Sequence, residues 1–156
     1  PSALALTRQT LKELPKSKAQ NMNINKGGYV VFESSNKPDG IIIASGSEVS
    51  IALQAAMDLK DKDLDIRVIS MPCQELYERQ TVAYKKKCIP KNFDNILAVE
   101  SGKGQSWFKY IGKEGSMITM ESFGLSGTGN DVMRYFGFTV TNIKKQIQKL
   151  INRKNR

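Results

Sequence analysis

The chain has 156 residues, about one domain's worth, and 40% of them are hydrophobic, enough for a buried core. Lysine and arginine outnumber the acids 24 to 15, a net charge of +9, and histidine is absent, which excludes a histidine general base, a Ser-His-Asp triad, a Cys-His pair and any imidazole metal site. The longest apolar run, Ile41-Ile42-Ile43-Ala44, is far too short to span a bilayer.

In chain order, Ser2-Ala3-Leu4-Ala5-Leu6-Thr7 reads as a short buried strand ending at Arg8. No signal-like segment precedes it, and it has no βαβ context of its own. The expectation is a piece of a longer polypeptide whose first strand belongs to a preceding domain. Thr10 to Asn25, polar with Pro15, reads as a linker or surface-wrapping segment. Lys26-Gly27-Gly28 marks a turn into the strand Tyr29-Val30-Val31-Phe32-Glu33. The stretch from Ser34 to Gly40, with Asn36, Pro38 and Asp39, has hairpin character, so this strand is expected to pair antiparallel with the next.

Ile41-Ile42-Ile43-Ala44 shows no alternation, the mark of a strand covered on both faces. Ser45-Gly46-Ser47-Glu48 opens a helix, either as a Ser45/Glu48 capping box or with Ser47 as the N-cap. Val49, Ala52, Leu53 and Ala56 follow as its buried stripe. Leu64 to Ile69 is the next strand, completing a right-handed βαβ unit. Gln74 to Lys87 is predicted as one helix, Asn95 to Glu100 as a buried strand, Trp107 to Ile111 as a short helix and Ser116 to Met120 as the last strand. Ser126-Gly127-Thr128-Gly129 leads into a helix ending near Gly137, and the final helix buries Val140, Ile143, Ile147, Leu150 and Ile151. The fold class is α/β: a three-layer, mostly parallel, doubly wound sheet with one antiparallel edge strand.

Six of the basic residues, Lys144, Lys145, Lys149, Arg153, Lys154 and Arg156, lie in the last helix and tail without an acid among them. They read as a solvated face that complements a helix C-terminus, and no aromatic residues interleave with them as a nucleic-acid surface would require. Cys73 and Cys88 have neither metal nor disulfide-framework spacing and lack an activating base.

Three Gly/Ser segments could cradle an anion: Ser45-Gly46-Ser47, Ser101-Gly102-Lys103-Gly104 and Ser126-Gly127-Thr128-Gly129. None matches a dinucleotide or P-loop pattern. No catalytic carboxylate pair is evident: Glu48 reads as a helix-start residue, and Glu100 stands alone at a strand end where α/β ligands bind. Trp107-Phe108-Lys109-Tyr110 reads as core or interface packing. Arg8, at the end of its strand, has a guanidinium fork suited to phosphate.

Pro1-Ser2-Ala3-Leu4-Ala5-Leu6-Thr7-Arg8-Gln9 resembles the end of the pyrimidine-binding domain of transketolase, and Gly27-Gly28-Tyr29-Val30 the start of its C-terminal domain. Ala44-Ser45-Gly46-Ser47-Glu48-Val49, Arg67-Val68-Ile69-Ser70-Met71-Pro72, Ala98-Val99-Glu100, Phe123-Gly124 and Phe136-Gly137-Phe138-Thr139 are similar to that family in order and spacing. The resemblance implies residues 1–9 as the last strand of the preceding domain, 10–27 as a linker and 28–156 as the C-terminal domain. It implies a cytoplasmic homodimeric parent enzyme of the pentose phosphate pathway. That enzyme uses thiamine diphosphate and a divalent metal, magnesium or calcium, to move a two-carbon ketol unit between sugar phosphates. The portion present here is then non-catalytic, supports the dimer, and binds no cofactor, metal, nucleic acid or membrane. Arg8, in Leu6-Thr7-Arg8-Gln9, matches the family's sugar-phosphate-binding arginine. Where many bacterial members have Ser-Ala-Pro, this chain has Ser126-Gly127-Thr128-Gly129-Asn130, which leaves the local helix start open. The alternative is a regulatory or anion-binding α/β module, with its ligand near Gly46, Glu100 and Gly127.

Overall fold

Three largely apolar, buried stretches build the centre of a five-stranded sheet. The computed structural model describes residues 3, 6–11, 13–14, 24–33 and 35–153. A 3-10 turn, Ile24–Lys26, leads into β1 (Tyr29–Phe32). Then come β2 (Gly40–Ala44), α1 (Glu48–Lys60), β3 (Ile66–Ser70), α2 (Gln74–Glu78), α3 (Val82–Cys88) and β4 (Ile96–Glu100). A second 3-10 turn, Gln105–Trp107, runs directly into α4 (Phe108–Ile111), followed by β5 (Ser116–Thr119), α5 (Gly129–Tyr135) and α6 (Val140–Arg153).

The strand order is β1-β3-β2-β4-β5, parallel throughout except for β1, which runs antiparallel to β3. Period-2 geometry sends Ile42, Ala44, Val68, Leu97 and Val99 to one face, where Ala52, Ala56 and Leu59 of α1 and Ile143, Ile147 and Leu150 of α6 cover them. Ile41, Ile43, Ile69, Ile96 and Ala98 go to the other, beneath Tyr77, Cys88, Trp107, Tyr110 and Ile111. Every residue of β2 is buried, as its lack of alternation predicts. In α6, Ile143, Ile147 and Leu150 are buried, while Val140 and Ile151 are half-buried at the margin. No helix among the described residues is long and apolar enough to cross a membrane.

Three expectations need correction. The strand Tyr29–Phe32 is antiparallel, but its partner is β3 and not the next strand, β2. Both flanks of β2 are already occupied by β3 and β4, so a hairpin neighbour has no place there. The half-exposed β1 suits the sheet edge, where Arg67 of β3 fastens it. Buried Arg67 donates from Nε to Glu33 Oε2 at 2.9 Å and from Nη1 to the carbonyls of Lys87 and Cys88, both at 3.0 Å. One guanidinium therefore joins the edge strand, its neighbour and the end of α3.

The second correction concerns the helix expected over Gln74–Lys87, which is broken in two. The first helix ends at Glu78, and Thr81, in an extended conformation, caps the next: its Oγ1 accepts from the Tyr84 amide at 3.2 Å. The third concerns the first segment. Its described residues Ala3, Leu6 and Thr7 form no strand and are exposed, Leu6 at 82%. A strand needs a neighbouring backbone, and these residues pair with none among those described. Ser2, Leu4 and Ala5 lie outside the described residues, as does most of the expected linker, of which Leu14 packs against the α1/α6 core.

Candidate functional site

In this strand order β2 and β4 are neighbours, yet their exits diverge. The chain leaves β2 for α1 on one face of the sheet and leaves β4 for α4 on the other. Such a switch point opens a crevice at the carboxyl ends of the strands, the usual ligand position in open α/β sheets. Gly46 makes the turn out of β2 with φ of 52°, a conformation open to glycine, while a Cβ there would meet no atom within 4 Å.

Two carboxylates converge on this crevice. Glu48, the first residue of α1, is 2% exposed; its Oε1 accepts from Ser47 Oγ at 2.6 Å and its Oε2 from Ser101 Oγ at 3.2 Å. Glu100, the last residue of β4, accepts from Ser45 Oγ at 2.8 Å. Burial pushes the Glu100 carboxyl above its ordinary value, the Ser45 hydrogen bond opposes this, and the nearby Glu48 charge adds to it. The expected caps give way to this arrangement. Ser47 occupies the N-cap place without a side-chain cap bond, and neither Ser45 nor Glu48 forms a capping box. Ser45 bonds Glu100 and Glu48 bonds Ser101 across the crevice, while Ser47 bonds the neighbouring Glu48.

Beside Glu100 lies an open cleft of about 360 Å³, lined in part by Ser45, Cys73, Gln74, Lys103 and Ser106. Gln74 Nε2 donates to Ser106 Oγ at 3.1 Å across it. The Cys73 thiol donates to Glu75 at 3.5 Å, and Glu75 is held below its ordinary value first by its own backbone amide and then by that thiol. Glu75, Glu100 and Lys103 line the cleft, while Glu48 is buried outside its lining, so its wall presents both acidic and basic side chains. Gly127 does not line it; it belongs to an exposed loop after β5. Among the described residues no group of three or more metal-ligating side chains occurs.

The aromatic run divides. Trp107 and Tyr110 are buried at 2% and 8%, while Phe108 between them is 62% exposed. Thr128 caps α5 by accepting from the Asp131 amide at 3.3 Å, which settles the helix start that the sequence leaves open. Arg8 lies in an exposed bend outside the cleft lining. The carboxylate pair itself escapes sequence reasoning, although Glu100 ends one apolar strand and Glu48 opens the helix after another. Its existence depends on β2 and β4 being neighbours.

A family model of the transketolase-like TK C-terminal domain matches residues 27–139. The chain belongs to the transketolase-like C-terminal domain family. Over 148 residues this domain is 40% identical to the transketolase of Aquifex aeolicus, covering 94% of the chain and 22% of that relative. It superposes on a variant transketolase of Pichia stipitis with a TM-score of 0.82 at 30% identity, covering 95% of the chain and 21% of that structure. A Pichia stipitis transketolase in complex with sedoheptulose-7-phosphate gives a TM-score of 0.74 at 31% identity, covering 83% and 18%. The transketolase C-terminal domain described here thus spans about a fifth of the length of these relatives.

Proposed function

We propose that this chain is the carboxyl-terminal part of a cytoplasmic, homodimeric transketolase. The parent enzyme moves a two-carbon ketol unit between sugar phosphates in the pentose phosphate pathway. The observation that carries the reading is likeness to transketolases along nearly the whole chain. The portion present here contributes assembly and one substrate contact, while the chemistry belongs to the preceding polypeptide.

Thiamine diphosphate and its divalent metal, magnesium or calcium, would supply the carbanion chemistry in that parent. The described residues do not fit this group. The strand-end crevice presents carboxylates where a diphosphate needs donors, and no side-chain group suits its metal. No catalytic step is assigned to this domain. Arg8 is the one substrate contact proposed, as a bidentate donor to the sugar phosphate. Its exposure supports the reading, since a side chain serving a neighbouring domain is not spent within its own.

Assays with thiamine diphosphate and magnesium test both parts. The 156-residue chain alone is expected to show no ketol transfer, and turnover by it would overturn the division of labour. In the full-length enzyme, Arg8→Ala should raise KM for phosphorylated substrates about tenfold or more and leave unphosphorylated ketoses nearly unchanged. Equal effects on both would remove Arg8 from the phosphate site.

A further inference from the structure

The exits of β2 and β4 mirror each other. Each supplies one serine and one glutamate: Ser45 and Glu48 after β2, Glu100 and Ser101 at the end of β4. The bonds between them are reciprocal, Ser45 Oγ donating to Glu100 Oε2 at 2.8 Å and Ser101 Oγ to Glu48 Oε2 at 3.2 Å. Ser47 completes the set by donating to Glu48 Oε1 at 2.6 Å. Among the described residues, the side chains that donate to these two carboxylates are all serines, and neither carboxylate is paired with a cation. Burial makes an unpaired charge costly, and a like charge at the same site raises the cost.

The charged groups nearby are engaged elsewhere. Lys103 Nζ donates to the Glu121 carbonyl at 2.8 Å and lies 3.7 Å from Glu121 Oε2. Glu121 Oε1 accepts from Thr119 Oγ1 at 2.8 Å and from the Gly104 amide at 3.2 Å, which ties the 101–106 and 120–128 loops together. Across the cleft, Glu75 accepts the Cys73 thiol. From the sheet, β3 brings Ser70 alongside Ala44 and β5 brings Thr119 alongside Glu100, and neither carries a charge. The second oxygen of Glu100, Oε1, faces Gly102, where a Cβ would lie 3.4 Å away. Ionised Glu100 therefore has one serine donor and, in Glu48, a like charge beside it.

We infer that Ser45, Glu48, Glu100 and Ser101 form one reciprocal clasp, which holds the exits of β2 and β4 together while Glu100 is protonated and loosens when it ionises. Ser45 and Glu100 also line the neighbouring cleft, so the clasp forms part of its wall and loosening widens it. The direction follows from Glu100, whose carboxyl is raised above its ordinary value of 4.5 first by burial and then by Glu48, against the Ser45 bond. The folded chain thus holds this proton more tightly than the unfolded one. The clasp is fully closed below 4.5 and slackens as pH rises through the folded-state value. Reciprocity couples the two serine bonds, because parting the exits at one weakens the other. The device is built from this chain's own residues and does not depend on the parent reading.

Amide hydrogen exchange tests the clasp. The Glu48 and Val49 amides donate to the Ser45 and Gly46 carbonyls after β2, and the Met120 amide donates to the Gly102 carbonyl after β4, so these amides read the two exits. The native chain and Glu100→Gln are compared at each pH, which cancels the intrinsic pH dependence of exchange. From about pH 5 to about pH 8 the native-to-variant rate ratio at these amides is expected to rise about fivefold or more. The ratio at Asp63 and Leu64, whose amides bond within the amino-end loops, is expected to stay constant. A constant ratio at the exits would overturn proton control, and an equal rise at Asp63 and Leu64 would overturn a local clasp. Reciprocity is read from Ser45→Ala, Ser101→Ala and their double variant at about pH 5. Each single change should accelerate exchange at both exits about fivefold, and the double variant by less than the product of the two. An acceleration equal to the product would leave two independent bonds and overturn the clasp. The serine variants keep Glu100 in place, so they decide the matter if Glu100→Gln fails to fold.

Discussion

The amino and carboxyl ends of the sheet are made from the same strands, yet they solve different problems. The amino-end loops fasten to one another: the Asp65 amide donates to Asp39 Oδ2 at 2.8 Å, the Asp39 amide to the Asp65 carbonyl at 2.7 Å, and Asn95 Nδ2 to the Asp39 carbonyl at 2.9 Å. Their side chains satisfy local backbone and leave charge for water. The carboxyl end spends its polar groups on a carboxylate-serine cluster and on pinning the 120–128 loop, and leaves apolar side chains outward. The two ends are thereby fastened by separate sets of contacts, so substitutions at the two ends should have different consequences.

The largest effect on stability is expected from Arg67→Met. It removes the charge that pairs with the half-buried Glu33 carboxylate at 2.9 Å across the β1–β3 edge and the donor that serves the Lys87 and Cys88 carbonyls. A cost of about 3 kcal/mol in urea denaturation is expected. A cost below about 0.5 kcal/mol, the range of ordinary surface changes, would show that the edge strand is held by packing alone.

Gly104→Ala probes the other end. The new methyl meets Met117 Sδ and forces the two loops apart, an overpacking cost of about 1–2 kcal/mol. Hydrogen exchange should rise in residues 101–106 and 120–128 and stay unchanged at the amino end. Loosening at both ends would deny their independence.

Glu100→Gln should have the smallest effect, and one that depends on pH. The folded-state pKa of Glu100 lies above its ordinary value of 4.5, so the folded protein holds this proton more tightly than the unfolded chain. Below 4.5 the group contributes fully; as pH rises from there through the folded-state pKa, stability is lost, and above it the loss is complete. Glutamine keeps an acceptor for Ser45 and cannot ionise. The variant should therefore gain on the native chain as pH is raised from 4.5 to 7, read from denaturation midpoints at each pH. A constant difference across that range would mean that Glu100 ionises without cost beside Glu48.

Much of the frame was legible because its signals are local. The unbroken Ile41–Ala44 run announces a strand covered on both faces, and the helical stripe after Glu48 followed by Leu64–Ile69 announces a βαβ unit. The partner of β1 was not legible, since antiparallel pairing with β3 spans about forty residues and a loop of hairpin composition points elsewhere. Thr81 was a readable cap inside an otherwise helical stretch, outweighed by helix-forming neighbours. The carboxylate pair depends wholly on topology: the elements that carry Glu48 and Glu100 are separated by one strand and two helices in sequence, and only the adjacency of β2 and β4 brings them together. Nor can a sequence distinguish Trp107, which is buried, from Phe108, which is exposed, because that depends on which side of a single turn faces the sheet.

The central claim is that the two ends of the sheet are fastened independently, each by its own polar contacts. Hydrogen exchange measured on Asp39→Ala tests it most directly. Faster exchange in residues 35–39, 61–65 and 89–95 is predicted, with residues 101–106 and 120–128 exchanging as in the native chain. Faster exchange in the 120–128 loop as well would contradict the account.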